Sequence, residues 1–128
     1  MLRAIAADPL VIKETRTDTL NGLVDLMDAA LAAAPRLDLP ALILYGEHDE
    51  IVPRAPVERL VETLPAATPH LIAVYASGYH LLLRDLHANI VLDDVAAWLH
   101  DRRVALPSNA DRAGLKVFHV GEASLPSG

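Results

Sequence analysis

The chain of 128 residues is long enough for one domain, and its composition is that of a folded protein. It is 52% hydrophobic, with a positive mean hydropathy of +0.28, which excludes a disordered chain. Its formal net charge of −6 predicts no nucleic-acid partner, because no basic cluster offsets the acidic residues. The chain has no cysteine. Disulfides and thiol chemistry are therefore excluded, and we expect a cytoplasmic location.

The amino-terminal sequence gives no sign of a targeting signal. MLRAIAADPLVIKE contains only a short apolar patch before Asp8, whereas a signal peptide needs an apolar core of about 7–15 residues. No apolar run approaches the length that crosses a bilayer, so we expect no transmembrane segment. The sequence also contains no glycine-rich phosphate loop and no usable set of metal ligands. We therefore expect no cofactor and no metal.

The first clear helix is predicted over residues 18–33 and is ended by Pro35. Asp25 and Asp28 lie on its polar face. The opposite face carries apolar residues at helical spacing, namely Leu20, Leu23, Val24, Met27 and Leu31. We expect this apolar face to pack against a sheet.

A buried strand is predicted over residues 41–45, where five apolar residues follow one another without polar alternation. Such a run is typical of a strand that is covered on both faces of a parallel sheet. The strand leads into a turn at Gly46, and Asp49 follows three residues later. Ligands and catalytic groups of open α/β sheets collect at the carboxyl ends of the strands. Asp49 is therefore a candidate catalytic residue.

The same arrangement repeats farther along the chain. Residues 56–64 carry apolar side chains at helical spacing. Residues 71–75 form a second apolar run, which ends in a turn at Gly78 and in His80. These elements predict one β-α-β unit with parallel strands, so that His80 and Asp49 lie at the same edge of the sheet. A carboxylate that accepts from one imidazole nitrogen would leave the other nitrogen free to act as a base.

A last helix is predicted over residues 86–100. Its apolar face includes Trp98, and we place Asp93 and Asp94 outside that face. Asp85 stands where it could cap the first turn of the helix.

The composition changes after residue 103, where serine, glycine and proline separate short apolar patches. A short strand could form over residues 115–120, but its flanks are typical of loops. We therefore predict a domain over residues 1–103 and a mobile tail over residues 104–128.

The two motifs together resemble the carboxyl-terminal part of an α/β-hydrolase. GEHDEIVP matches the G-x-x-D-x-x-V-P setting of the family's acid, and GYHLLLRD matches the G-x-H setting of its histidine. The similarity is greatest to the branch of monoacylglycerol lipases and lysophospholipases, also called serine-aminopeptidase-like hydrolases. It covers roughly residues 8–100. The resemblance implies an α/β fold, of which this chain would form the C-terminal β-α-β-α portion, an incomplete domain.

One member of the triad that this resemblance implies is missing. In these hydrolases a serine in a G-x-S-x-G turn precedes the acid and the histidine. Residues 1–48 contain no serine and no cysteine, and the first serine is Ser77. No aspartate before Asp49 lies in a glycine-flanked turn of this kind. We therefore interpret the chain as the back third of a hydrolase, in which Met1 is not the start of a domain.

The resemblance implies that the complete enzyme cleaves small-molecule acyl esters of the acyl-glycerol or lysophospholipid type. His80 would deprotonate the serine, and Asp49 would orient His80. One alternative is that the chain as written is a catalytically silent remnant or an interaction partner. Another is a different chemistry of this fold, such as that of a peroxidase, a lyase or an epoxide hydrolase. As partners we expect the missing N-terminal half or a second copy, because a strand edge and apolar helix faces would otherwise be uncovered.

Overall fold

A computed structural model describes residues 17–118 and divides the chain into two units, Met1–Ala33 and Ala34–Gly128. The first unit contains helix α1 (Thr17–Ala33), as the apolar spacing predicts. No residue of α1 is buried, so the packing of its apolar face against a sheet stays a prediction. The predictions made for the amino-terminal sequence before α1 lie outside the described residues.

The second unit is built on two strands that pair in parallel, with Leu42 opposite Leu71. The predicted β-α-β unit is therefore confirmed. Two short 3₁₀ turns, Ala34–Arg36 and Leu82–Arg84, precede the first strand and the third helix. The remaining elements, in chain order, are β1 (Ala41–Gly46), α2 (Arg54–Thr63), β2 (His70–Tyr75), α3 (Ala88–His100) and α4 (Ala110–Val117).

Helix α2 begins two residues earlier than its apolar pattern predicts. Pro56 then lies in its first turn, where a proline is tolerated because the missing N–H would have no partner within the helix. Helix α3 begins two residues later than predicted. None of the helices within residues 17–118 combines the length and the apolar character that crossing a membrane requires.

Both faces of β2 are covered, because alternate residues of a strand point to opposite sides of the sheet. One cluster contains Leu71, Ala73, Tyr75, Leu82, Val91, Leu106 and Ala110, with Trp98 packed against it. The opposite cluster contains Tyr45, Val61, Ile72, Val74 and Phe118. Helices therefore lie on both sides of a parallel sheet, and the predicted α/β class is confirmed for this part of the chain.

Strand β1 is less covered than β2. Its first four residues are only half-buried, whereas the last five residues of β2 are buried. Within the described residues β1 has a strand neighbour on one edge only. Its other edge is where further strands of a parallel sheet would pair, as expected for a portion of an α/β-hydrolase sheet.

Residues 104–118 differ from the mobile tail that their composition predicts. Leu106 and Phe118 are buried. Residues 110–117 form α4 instead of a short strand, so the folded region continues past the predicted boundary at residue 103. The rest of the predicted tail, residues 119–128, lies outside the described residues.

Helix α4 lies against the edge of β2 that faces away from β1. A Cβ on Gly114 would come within 2.0 Å of the Ile72 carbonyl oxygen, so only glycine allows this approach. Ala110 belongs to the cluster on one face of the sheet, whereas Ala113 and Val117 pack against the cluster on the other. A helix that contributes to both faces covers the edge between them. The strand edge that we expected to be uncovered is that of the first strand, β1, and within the described residues it has no second strand beside it.

Asp94 is fully buried, although we predicted it outside the apolar face of α3. Its Oδ2 accepts hydrogen bonds from the Tyr75 hydroxyl at 2.9 Å and from the Ser108 hydroxyl. Its Oδ1 accepts from the Ser108 amide at 3.0 Å. Three donors thus replace water around the carboxylate. Burial and the hydrogen bond to Asp94 raise the pKa of the Tyr75 phenol well above its usual range.

Candidate active site

The turn that follows β1 is organised by the Asp49 carboxylate. Its Oδ1 accepts hydrogen bonds from the amides of Ile51 and Val52, each at 2.9 Å. The Asp49 amide donates to the Gly46 carbonyl at 3.0 Å. A short acidic side chain that binds the amides two and three residues later is an Asx turn. It fixes the direction of the carboxylate and leaves Oδ2 available to another donor.

The turn that follows β2 is held by Tyr75 and Asp85. The Gly78 amide donates to the Tyr75 carbonyl at 2.9 Å, and the Tyr79 amide donates to Asp85 Oδ2 at 3.1 Å. Helix α3 begins without a side-chain cap. The prediction that Asp85 caps this helix is therefore wrong, and its carboxylate instead holds the turn that carries His80.

The two turns approach each other through backbone atoms. A Cβ on Gly46 would lie 2.6 Å from the carbonyl carbon and the carbonyl oxygen of Gly78, which is closer than real Cβ atoms come. The His48 amide donates to the Gly78 carbonyl at 2.9 Å, and the Glu47 amide donates to the Tyr75 carbonyl at 3.0 Å. Glycine in both motifs thus allows the turns to be joined by hydrogen bonds.

The structure brings together the two candidate residues that the sequence singled out. His80 Nδ1 lies 2.9 Å from Asp49 Oδ2. An ionised carboxylate can only accept, so Nδ1 donates and Nε2 is left as the basic nitrogen. The Asp49 side chain is 8% exposed, whereas that of His80 is 38% exposed. The carboxylate is shielded from water, and the imidazole can be reached by a substrate.

The surroundings of Asp49 favour its ionised form. Burial by itself would raise the pKa of this carboxyl. Hydrogen bonds from the Val52 amide, the His80 ring and the Ile51 amide together outweigh burial, so the pKa lies below its usual value. The group that faces His80 is therefore a carboxylate at neutral pH.

The other polar residues of the first turn face solvent. Glu47, His48 and Glu50 are exposed. The His48 ring packs edge-on against the Tyr79 ring, with centroids 5.4 Å apart. No group of three or more histidine, cysteine, aspartate or glutamate side chains in residues 17–118 is arranged to hold a metal ion.

Residues 1–87 match the family described as serine aminopeptidase, S33. The chain belongs to this family. The predicted relationship to α/β-hydrolases is therefore confirmed, and Asp49 and His80 both lie within the matched region. The chain is 27% identical over 107 residues to a monoacylglycerol lipase of Mycolicibacterium smegmatis, an alignment that covers 75% of this chain and 38% of the relative. No solved structure matches the chain.

We predict that Gly46→Ala lowers the free energy of unfolding by about 1–3 kcal/mol, because the new methyl group must separate the two turns. Gly22→Ala is the matched control. Nothing lies within 4 Å of a Cβ at Gly22 in α1, so it should stabilise by about 0.5–1 kcal/mol through helix propensity. Urea unfolding followed by circular dichroism measures both changes, and equal effects would contradict this explanation of Gly46.

We also predict that the stabilising effect of Asp49 is lost in acid. Its folded pKa lies below its unfolded value, so the carboxylate stabilises the fold fully above about pH 4 and less as the pH falls through the folded value. Wild type should therefore be more stable than Asp49→Asn at about pH 7, and the difference should shrink below about pH 4. Urea unfolding at both pH values tests this, and a constant difference would count against it.

Proposed function

We propose that Asp49 and His80 are the acid and the histidine of a hydrolase triad. The observation that carries this proposal is the 2.9 Å hydrogen bond between Asp49 Oδ2 and His80 Nδ1. It joins two turns at the carboxyl ends of paired parallel strands, where α/β proteins hold their catalytic groups. Membership of the serine aminopeptidase family supports a hydrolytic reaction.

For the complete enzyme we propose the cleavage of carboxylic esters of the acyl-glycerol or lysophospholipid type. The support is the similarity to a protein named monoacylglycerol lipase. His80 Nε2 takes the proton of a serine hydroxyl as its oxygen attacks the ester carbonyl carbon, and the imidazolium then gives that proton to the leaving alcohol. The same nitrogen then takes a proton from water as the water oxygen attacks the acyl-serine carbonyl carbon, and it returns that proton to the serine oxygen when the carboxylic acid product leaves. Asp49 orients the ring and stabilises the imidazolium in both steps.

We propose that the serine lies outside these 128 residues. Residues 1–48 contain no serine or cysteine, and a nucleophile would precede the acid in this family's order. The chain spans about 38% of the length of the curated relative it matches. Within the described residues the open edge of β1 offers a place for the further strands of the sheet, one of which would carry the nucleophile.

A second candidate follows from the same gap in the sequence. By itself the chain is catalytically silent, because no covalent acyl intermediate can form without the nucleophile. The other chemistries of the fold share the acid and the histidine, and no feature of the described residues favours a peroxidase, a lyase or an epoxide hydrolase.

We expect the isolated chain to hydrolyse p-nitrophenyl butyrate no faster than its His80→Ala variant. In a chimera, the chain follows the part of the M. smegmatis lipase that the alignment does not cover. We expect this chimera to be an esterase. In that chimera Asp49→Asn should lower kcat by about 10⁴, because the ring loses its tautomer and orientation. Glu50→Gln is the control, since Glu50 is an exposed neighbour in the same turn, and it should leave kcat unchanged.

Two outcomes would contradict these proposals. Turnover by the isolated chain that disappears in His80→Ala would show that the nucleophile is within these residues. Activity of the chimera that is indifferent to Asp49→Asn would remove Asp49 from the triad.

A further inference from the structure

We propose that residues 106–118, which we call the C-terminal segment, position the Asp49–His80 pair by holding the turn that carries each residue. The segment lies beyond residues 1–87, which match the family. Its contacts stand on the structure alone, whereas their catalytic consequence rests on the proposed function. The segment supplies positioning residues, which act through other side chains of the fold.

The first end of the segment is tied to the turn that carries His80. Ser108 donates its amide and its hydroxyl to Asp94. The same carboxylate accepts the Tyr75 hydroxyl at 2.9 Å. The Tyr75 carbonyl in turn accepts the amides of Gly78 and Glu47, one from each turn. Displacing Ser108 would therefore disturb Tyr75, whose carbonyl accepts a hydrogen bond from each of the two turns.

The other end of the segment is tied to Arg54, which lies shortly after the turn that carries Asp49 (the acid turn, residues 46–52). Arg54, the first residue of α2, donates from its guanidinium to the Val117 carbonyl. The guanidinium carbon also lies 5.6 Å from the centroid of the Phe118 ring, a distance at which the cation is attracted to the ring face. Arg54 thus fixes the carboxyl end of α4 beside the exit of the acid turn.

Phe118 reaches the acid turn by a second route. Its ring meets the Tyr45 ring edge-on, with centroids 5.6 Å apart. The Tyr45 hydroxyl donates to the Val52 carbonyl at 3.3 Å, and the Val52 amide donates to Asp49 Oδ1. One chain of contacts therefore runs from the C-terminal segment to the catalytic carboxylate.

The middle of the segment makes these two ties act together. Gly114 packs directly on the Ile72 carbonyl, so α4 has no room to move towards the strand. The Ser108 hydroxyl accepts from the amide of Ala110, the first residue of α4, at 3.0 Å. The helix therefore sets the positions of Ser108 and Val117 relative to each other. The segment therefore fixes the positions of the two turns relative to each other. Loosening either end should increase the time that Asp49 and His80 spend apart.

The test measures how fast the His80 Nδ1 proton exchanges with water, by NMR of the whole chain. This proton is protected only while it is bonded to Asp49. Arg54→Gln should accelerate the exchange about fivefold, as expected for the loss of one hydrogen bond. Arg103→Gln is the matched control, because Arg103 is also exposed and pairs with a nearby carboxylate, that of Asp101. It should leave the exchange rate unchanged.

Ser108 supplies an independent pair of variants. Ser108→Ala removes the hydroxyl that binds Asp94 and should accelerate the exchange, whereas Ser108→Thr retains a hydroxyl and should restore protection. Circular dichroism confirms folding. The exposed Arg54 side chain decides the test if Ser108→Ala does not fold.

The outcomes separate this inference from the proposed function. One outcome would overturn the positioning role and leave the pair intact. In it, Asp49→Asn abolishes the protection of the His80 Nδ1 proton, but the proton exchanges equally fast in Arg54→Gln and Arg103→Gln. A wild-type proton that is no better protected than that of Asp49→Asn would overturn both.

Discussion

The turn after β1 and the turn after β2 touch through backbone atoms, and the candidate site depends on that contact. Gly46 and Gly78 leave no room for a side chain between them. Amides of the first turn can therefore donate to carbonyls at the end of β2 and in the second turn. With the two backbones joined in this way, Asp49 and His80 meet at 2.9 Å although they are far apart in sequence. A methyl group at either glycine would act on the whole arrangement.

The two edges of the sheet differ within the described residues. Helix α4 covers the free edge of β2 and contributes to the clusters on both faces. Within the described residues the far edge of β1 has no strand beside it. We propose that the covered edge helps to hold the turn that carries His80, and that the open edge receives the strands that bring the nucleophile. Asp49 is shielded from water and His80 can be reached from solvent. We propose that this exposure lets the His80 ring meet the serine nucleophile of the complete enzyme.

The sequence predicts the elements whose signals are local. Apolar runs and helical spacing give both strands and three helices, and the ends of parallel strands place Asp49 beside His80. We did not predict α4, because the sequence that flanks it is typical of loops, although ADRAGLKV itself contains several good helix formers. The prediction that Asp94 lies outside the apolar face of α3 is wrong because the partner that allows its burial is Ser108, fourteen residues later. One signal was available. Asp94 lies three residues after Val91, on the same helical face.

The most direct measurement of the central claim is the tautomer of the neutral His80 ring, read from its ¹⁵N chemical shifts. If Asp49 orients His80 for catalysis, the proton must reside on Nδ1 and leave Nε2 unprotonated. We predict the Nδ1–H tautomer in the wild-type chain and its loss in Asp49→Asn. An Nε2–H tautomer in wild type would mean that the nitrogen facing a substrate cannot accept a proton. The proposed role of the pair would then be contradicted.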